Sequence, residues 1–266
     1  AGLMKKIEDY EHNVGRCDRC NSVIEPRPSK QWFLKMKKLA KLATLAVKNK
    51  ETIIYPKRWE KILLNRLKNE RDWNISRQLW WGHKIPIAGE TDVLDTWFSS
   101  ALWPFAALGW PLDTARGKPN DFKTYYPTDY ITSAREILNI WIAKMIFSGL
   151  EFTGKSPFKV AHIHATILTK EGKRMSKSLG TGIDPLILID KYGADALRFG
   201  LMYQNLGNQD IKFSEDTMLT GKKFCNKIWN ASRFVLLAQK KKLKTRNIKP
   251  ETVADKKILT ELKKTI

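Results

Sequence analysis

The apolar positions of this chain change period along its length, and each change marks an element. In QWFLKMKKLAKLATLAVKN, Phe33, Met36, Leu39, Ala40, Ala43 and Val47 return at helical spacing, which predicts an amphipathic helix. Pro56 interrupts, and KRWEKILLNRLKN predicts a second helix with Trp59, Ile62, Leu63 and Leu67 on one face. WNISRQLWWGHKIP opens on β-forming residues, and DVLDTWFSSALWPFAALGWP gathers large aromatics. SAREILNIWIAKMIFSGL returns to the helical period, with Ile137, Ile140, Trp141, Met145 and Leu150 predicted to face a core. KVAHIHATIL alternates as a strand does. Asp184 before Pro185 is the pattern of an N-cap followed by proline at the first helical position, and the helix it predicts leads into ADALRFGLMY.

Helices alternating with short strands predict an α/β fold built on a parallel sheet. From Lys222 onward no strand pattern remains, and KKFCNKIWNASRFVLLAQKKKLK places Phe224, Ile228, Ala231 and Val235 on one side of a helix. The expected organisation is therefore an α/β domain over residues 1–215 and the start of a helical module over 216–266.

Composition adds a partner class to this outline. At 266 residues and 42% hydrophobic content the chain can bury a substantial core. Its 48 Lys and Arg against 27 Asp and Glu leave a formal net charge of +21, which points to a polyanion, although a solvated lysine-rich surface has the same composition. Three cysteines are too few for a disulfide scaffold and suit a reducing, cytoplasmic setting. No apolar run is long enough to span a bilayer, so no membrane partner is expected. The first residue is Ala1 and the last residues read as mid-helix, from which a piece of a longer protein is expected.

Candidate chemistry concentrates in GKRMSKSLGTGIDP. Lys173, Arg174 and Lys177 supply positive charge, while Ser176, Ser178 and backbone N–H groups supply neutral donors, a set able to follow charge developing on a triphosphate. Gly172 and Gly180 would let such a loop close and reopen. Taken alone, the same cluster also describes an exposed basic turn.

The surrounding blocks bear on that choice. KRMSKSLGTGIDP resembles the KMSKS signature of class I aminoacyl-tRNA synthetases. GRCDRCNSVIEPRPSKQWF, DWNISRQLWWGHKIP, DVLDTWFSSALWPFAALGWP, YYPTDYITSAREILNIW, YGADALRF and FCNKIWNASRFVL narrow the resemblance to the valyl-tRNA synthetase family. It covers nearly the whole chain apart from roughly the last thirty residues. It implies the second half of a Rossmann-like catalytic domain, followed by the opening helices of an anticodon-binding domain. The implied reaction is activation of L-valine by ATP with Mg2+, then transfer to tRNA(Val), by a monomeric ligase. Lys177 and Arg174 take the catalytic role, with Lys173, Met175, Ser176, Ser178 and His164 also placed at the nucleotide. Arg174 stands where the family usually has lysine, and Ala165 where it usually has glycine after the histidine.

A valine site needs apolar walls with a polar group for the ammonium. The resemblance assigns Trp97, Ile137 and Trp141 as walls and Glu136, in place of the family's usual aspartate, as the polar neighbour. By position alone these apolar residues read as ordinary core, and only the resemblance makes them pocket walls. Lys222, Lys223 and Lys227 are candidate tRNA contacts that also read as a solvated helix face. Cys17 and Cys20 form half of a tetrahedral zinc site, and spacing supports neither His12 nor Cys225 as completing ligands, so zinc is not expected here. The family's histidine-glycine-histidine signature and its editing domain are not found. The 266 residues alone are accordingly expected not to activate valine. The alternatives carried forward are an RNA-binding module without nucleotide chemistry and an isoleucine-specific relative.

Overall fold

The computed structural model describes residues 2–18, 20–111, 121–176, 180–205, 209–238 and 252–265. They form two compact units, Ala1–His164 and Ala165–Ile266. The first runs through β1 (Phe33–Leu34), α1 (Met36–Lys48), β2 (Ile53–Tyr55), α2 (Lys57–Lys68), β3 (Trp73–Asn74) and β4 (Ser76–Arg77). It continues through β5 (Val93–Leu94), α3 (Thr96–Ala106), α4 (Asp121–Tyr125) and β6 (Thr128–Ser133). A 3₁₀ turn (Arg135–Ile137), a π-helical turn (Leu138–Ala143), α5 (Lys144–Thr153) and β7 (Phe158–Ile163) close it.

The expected parallel sheet is present in the order β2-β7-β6. Its register pairs Ile53 with Val160 and Tyr55 with His162 on one side of β7, and Thr128 with Phe158 and Ser133 with Ile163 on the other. Of the strand read in KVAHIHATIL, residues 159–163 belong to β7, where Ala161 and Ile163 are buried and Val160 and His162 are half-buried; the pattern breaks at His164, and Ile167–Leu168 form a separate strand. Thr52 ties the sheet's start together by donating its hydroxyl to the Phe158 carbonyl at 2.7 Å. Met36, Leu39, Ala40, Ala43 and Val47 of α1 and Leu63 and Leu67 of α2 pack into the same core. Phe33, expected on the α1 stripe, lies instead on an exposed two-residue strand paired with β3.

The segment after β6 departs from a uniform helix. A π-helical turn carries an extra residue relative to the α geometry, so it rotates every later side chain around the axis. The buried positions are Leu138 and every residue from Ile142 to Gly149, Lys144 among them. Of the predicted stripe, Met145 is buried, whereas Ile137, Ile140, Trp141 and Leu150 are half-buried.

The second unit contains β8 (Ile167–Leu168), α6 (Pro185–Tyr192), α7 (Ala194–Gln204), β9 (Ile211–Lys212), α8 (Glu215–Ala238) and α9 (Val253–Thr265). β8 and β9 pair in parallel, and Leu188, Leu197, Phe213 and Met218 form the core. The Asp184 cap is as read: its carboxylate accepts the Leu186 N–H at 2.9 Å, with Pro185 at the first helical position. α8 packs on α7 through Gly200 and Gly221 and through Phe224, stacked on Phe199 with centroids 4.5 Å apart. Farther along α8, Ile228 and Val235 are exposed. Among the described residues no helix is long and apolar enough to cross a membrane.

The α7–α8 approach yields a first prediction. A Cβ added at Gly221 would lie 2.5 Å from the Ala196 carbonyl oxygen, a backbone atom that cannot swing aside. Gly221→Ala is expected to destabilise the second unit by about 1–3 kcal/mol, the usual range for overpacking. Thermal or urea unfolding checks it, and an unchanged midpoint would contradict this helix contact.

Candidate active site

In open α/β sheets, ligands bind beyond the carboxyl ends of the strands. Here the carboxyl ends of β6 and β7 are joined, because the His164 N–H donates to the Ser133 carbonyl at 3.1 Å. His164 itself is exposed just past β7. Two residues past β6, the 3₁₀ turn begins and leads to Ile137 and Trp141, four residues apart. Together with Trp97, Ser100 and Trp103 of α3 they line a cavity of about 480 Å³ that is open to solvent on the side of the exposed Trp103. All three sequence-predicted apolar residues therefore converge on one space. Glu136 does not line it; its carboxylate is paired with Arg135 at 3.7 Å on the adjacent turn. Ser100 and Trp103 were not singled out from the sequence, yet each follows at an i+3 step, Ser100 from Trp97 and Trp103 from Ser100, so that each neighbours the one before it on the helix surface.

Pro104 explains how Trp141 is held. Proline has no N–H, so Pro104 leaves the Ser100 carbonyl, four residues earlier, without its helical donor. The Trp141 indole Nε1–H donates to that carbonyl at 3.4 Å. A proline in one helix thus frees an acceptor for a cavity wall on another. Pro104→Ala is expected to return a helical donor to Ser100, compete with Trp141 and weaken the indole's bond by about 0.5–1.5 kcal/mol, the scale of one net hydrogen bond. The Trp141 indole N–H resonance checks it by NMR, and an unchanged chemical shift would contradict the link.

The N-terminus of α3 is equally constrained. Asp95 is buried; its Oδ1 accepts the Trp97 backbone N–H at 3.2 Å, and its Oδ2 accepts from the Trp73 indole N–H at 2.8 Å and from Arg77 at 2.9 Å. This capping network sets the origin of the helix that carries Trp97.

The basic loop belongs to the second unit. Thr169 N–H donates to the Lys173 carbonyl at 2.8 Å, Gly172 sits at φ +81°, and Arg174 bridges back to Leu168, which makes a tight turn at the loop's entry. Lys173 and Arg174 are exposed. Glu171 beside them has its carboxyl held below the usual range, by a hydrogen bond with Thr169 first and by Lys170 and Lys173 more weakly. Met175 does not point into solvent: it packs on the core of Leu188, Leu197, Phe213 and Met218 and anchors the loop. Ser176 and Thr181 then pinch its base, since the Ser176 N–H donates to the Thr181 hydroxyl at 2.9 Å and the Thr181 N–H to the Ser176 carbonyl at 3.1 Å. Lys177 and Ser178 lie outside the described residues. Gly180, at φ +64°, is where the described chain resumes, in a conformation glycine adopts without strain.

Cys17 and Cys20 lie on a tight turn in which the Cys17 N–H donates to the Ser22 carbonyl at 2.9 Å and the Cys17 carbonyl accepts from Asn21 at 2.8 Å. The Cys20 thiol is shifted down by its hydrogen bond to Ser22. Two sulfurs supply half of a tetrahedral set. Among the described residues no group of three or more His, Cys, Asp or Glu gathers to hold a metal. Lys222, Lys223 and Lys227 are exposed along α8.

A family model described as tRNA synthetases class I (I, L, M and V) matches residues 6–91 and 87–214, and the chain belongs to that family. Within it, the chain is 46% identical over its whole length to a valine–tRNA ligase of Clostridium tetani, 47% to one of Thermotoga maritima and 46% to one of Bacillus subtilis. It spans about a third of the length of each of these relatives (33%). The Mycobacterium tuberculosis methionyl-tRNA synthetase in complex with methionyl-adenylate shares the fold, with a TM-score of 0.73 over 93% of this chain and 48% of that one, at 20% identity.

Proposed function

We propose that this chain carries the amino-acid pocket and the phosphate-binding loop of a valine–tRNA ligase. L-Valine attacks the α-phosphate of ATP, supplied with Mg2+, to give valyl-adenylate and pyrophosphate, and valine then passes to tRNA(Val). The observation that carries the reading is the cavity between α3 and the π-helical turn, where Trp97, Ile137 and Trp141 meet. Its walls are apolar and rigid, which suits a branched side chain without hydrogen-bonding groups. Glu136, one residue before Ile137, is assigned to the ligand's ammonium.

Lys177 is assigned to the leaving pyrophosphate, assisted by Lys173 and Arg174, with Ser176 and Ser178 as neutral donors and Met175 as anchor. His164 is assigned to the nucleotide at the strand ends. Residues 1–215 are taken as catalytic domain and 216–266 as the start of the anticodon-binding module, whose Lys222, Lys223 and Lys227 meet tRNA. The protein works as a cytoplasmic monomer.

Valine-dependent ATP–pyrophosphate exchange by the complete polypeptide that contains this chain tests the reading. Valine is expected to support exchange and isoleucine is not. Exchange that runs faster with isoleucine, or is absent with both, would contradict it.

A further inference from the structure

Among the described residues two charged side chains are buried, Asp95 and Lys144. A buried ammonium needs compensation, and that of Lys144 finds it on an aromatic face: its Nζ sits 3.2 Å from the centroid of the Trp73 ring. The edge of the same ring donates its N–H to Asp95, and Asp95 caps Trp97. A continuous path therefore runs from cation to indole, from indole to carboxylate, and from carboxylate to the residue that walls the cavity. Neither Lys144 nor Trp73 lines that cavity.

We propose that Lys144 is a positioning residue for the amino-acid pocket, its charge acting through Trp73 and Asp95 to fix the start of α3 and hence Trp97. A cation over the ring draws electron density toward its face and makes the indole N–H a stronger donor, which tightens the bond to Asp95. The inference rests on the pocket assignment made above.

The charged groups facing Lys144 are Asp95 at the head of α3, Glu70 beyond α2 and Arg77 on β4. Burial acts most strongly and pulls the Lys144 pKa down to about 8, against the favourable pull of Asp95 and then Glu70, while Arg77 adds to the depression. The sign follows. The ammonium and its contact exist below that value, and both are lost as pH rises through it. An arginine at this position keeps its charge throughout the same range.

Two measurements test this. In the 266-residue chain, the Trp73 indole N–H and the Trp97 amide are followed by NMR from pH 6.5 to 9.5, with Trp73→Phe providing the assignment. Both resonances are expected to titrate together near pH 8 in the natural sequence and to stay flat in Lys144→Arg. Flat wild-type resonances, or an unchanged titration in Lys144→Arg, overturn the proposal. In the complete polypeptide, the KM for valine is expected to rise roughly tenfold across the same range, the scale of a desolvated cation–π contact, and to hold steady in Lys144→Arg. Absence of any valine response with the coupled titration intact would defeat the pocket assignment and leave the Trp73–Trp97 path standing. A valine response with identical pH profiles in both proteins would defeat the Lys144 proposal alone.

Discussion

Replacing Lys177 with alanine in the complete polypeptide is expected to slow valine-dependent ATP–pyrophosphate exchange by about 10²–10³-fold, the usual loss for one donor aimed at developing charge. The pyrophosphate leaves with more negative charge than it carries while bound in ATP. A lysine ammonium that meets it late stabilises the transition state more than the ground state, so kcat should fall with little change in the KM for ATP. Affinity for tRNA should be nearly unaffected. If the chain were instead an RNA-binding module without nucleotide chemistry, the same substitution would remove about one phosphate contact from the salt dependence of RNA binding and do nothing else. Exchange kinetics and a salt titration on the same variant separate these outcomes. The loop's frame gives the expectation its physical basis, because Ser176 and Thr181 close the base of the segment while Met175 is fixed in the core.

Shaving the pocket wall with Ile137→Ala is expected to change which amino acid is activated. The cavity is lined by the indoles of Trp97, Trp103 and Trp141, by Ser100 and by Ile137, whose truncation adds space for a larger branched side chain. One methylene in such a pocket changes discrimination by about 10–200-fold, a scale established on the isoleucine enzyme's choice between isoleucine and valine. Discrimination for valine over isoleucine should drop by a factor in that range, measured as the ratio of kcat/KM in exchange. Trp97 and Trp141 should respond differently, since each also serves the framework: Trp97 through the Asp95 cap and Trp141 through the Ser100 carbonyl. Truncating either is expected to lower activity with all amino acids. An Ile137→Ala protein with unaltered discrimination would mean that the cavity holds something other than the substrate's side chain.

Much of this site was legible in the sequence because it depends on local rules. Asp184 and Pro185 announce their cap within two residues, and the alternation that opens KVAHIHATIL is enough to place the central strand. The spacing of Met36, Leu39, Ala40, Ala43 and Val47 identifies the buried face of α1. Periodicity failed where the backbone itself changed pitch. Across the π-helical turn over Leu138–Ala143, Trp141 stays half-buried at the cavity, and from Ile142 to Gly149 every residue is buried, so no single helical face separates core from solvent. An extra residue in a helical turn leaves no mark on hydrophobic spacing until the fold is known. The Ser176–Thr181 pinch and the path from Lys144 to Trp97 were likewise out of reach, because each joins residues whose separation carries no periodic signal. The exposed apolar side of α8 at Ile228 and Val235 shows the limit from the other direction: helical spacing identified a face without saying what covers it.

The most direct test is a crystal structure of the complete polypeptide bound to a non-hydrolysable valyl-adenylate analogue. The valyl side chain is expected between Trp97, Ile137 and Trp141, with its ammonium toward Glu136 and the adenine beside His164. An analogue whose side chain lies outside that cavity, with the Trp97 and Trp141 indoles packed against each other across it, would contradict the assignment on which the proposed activity depends.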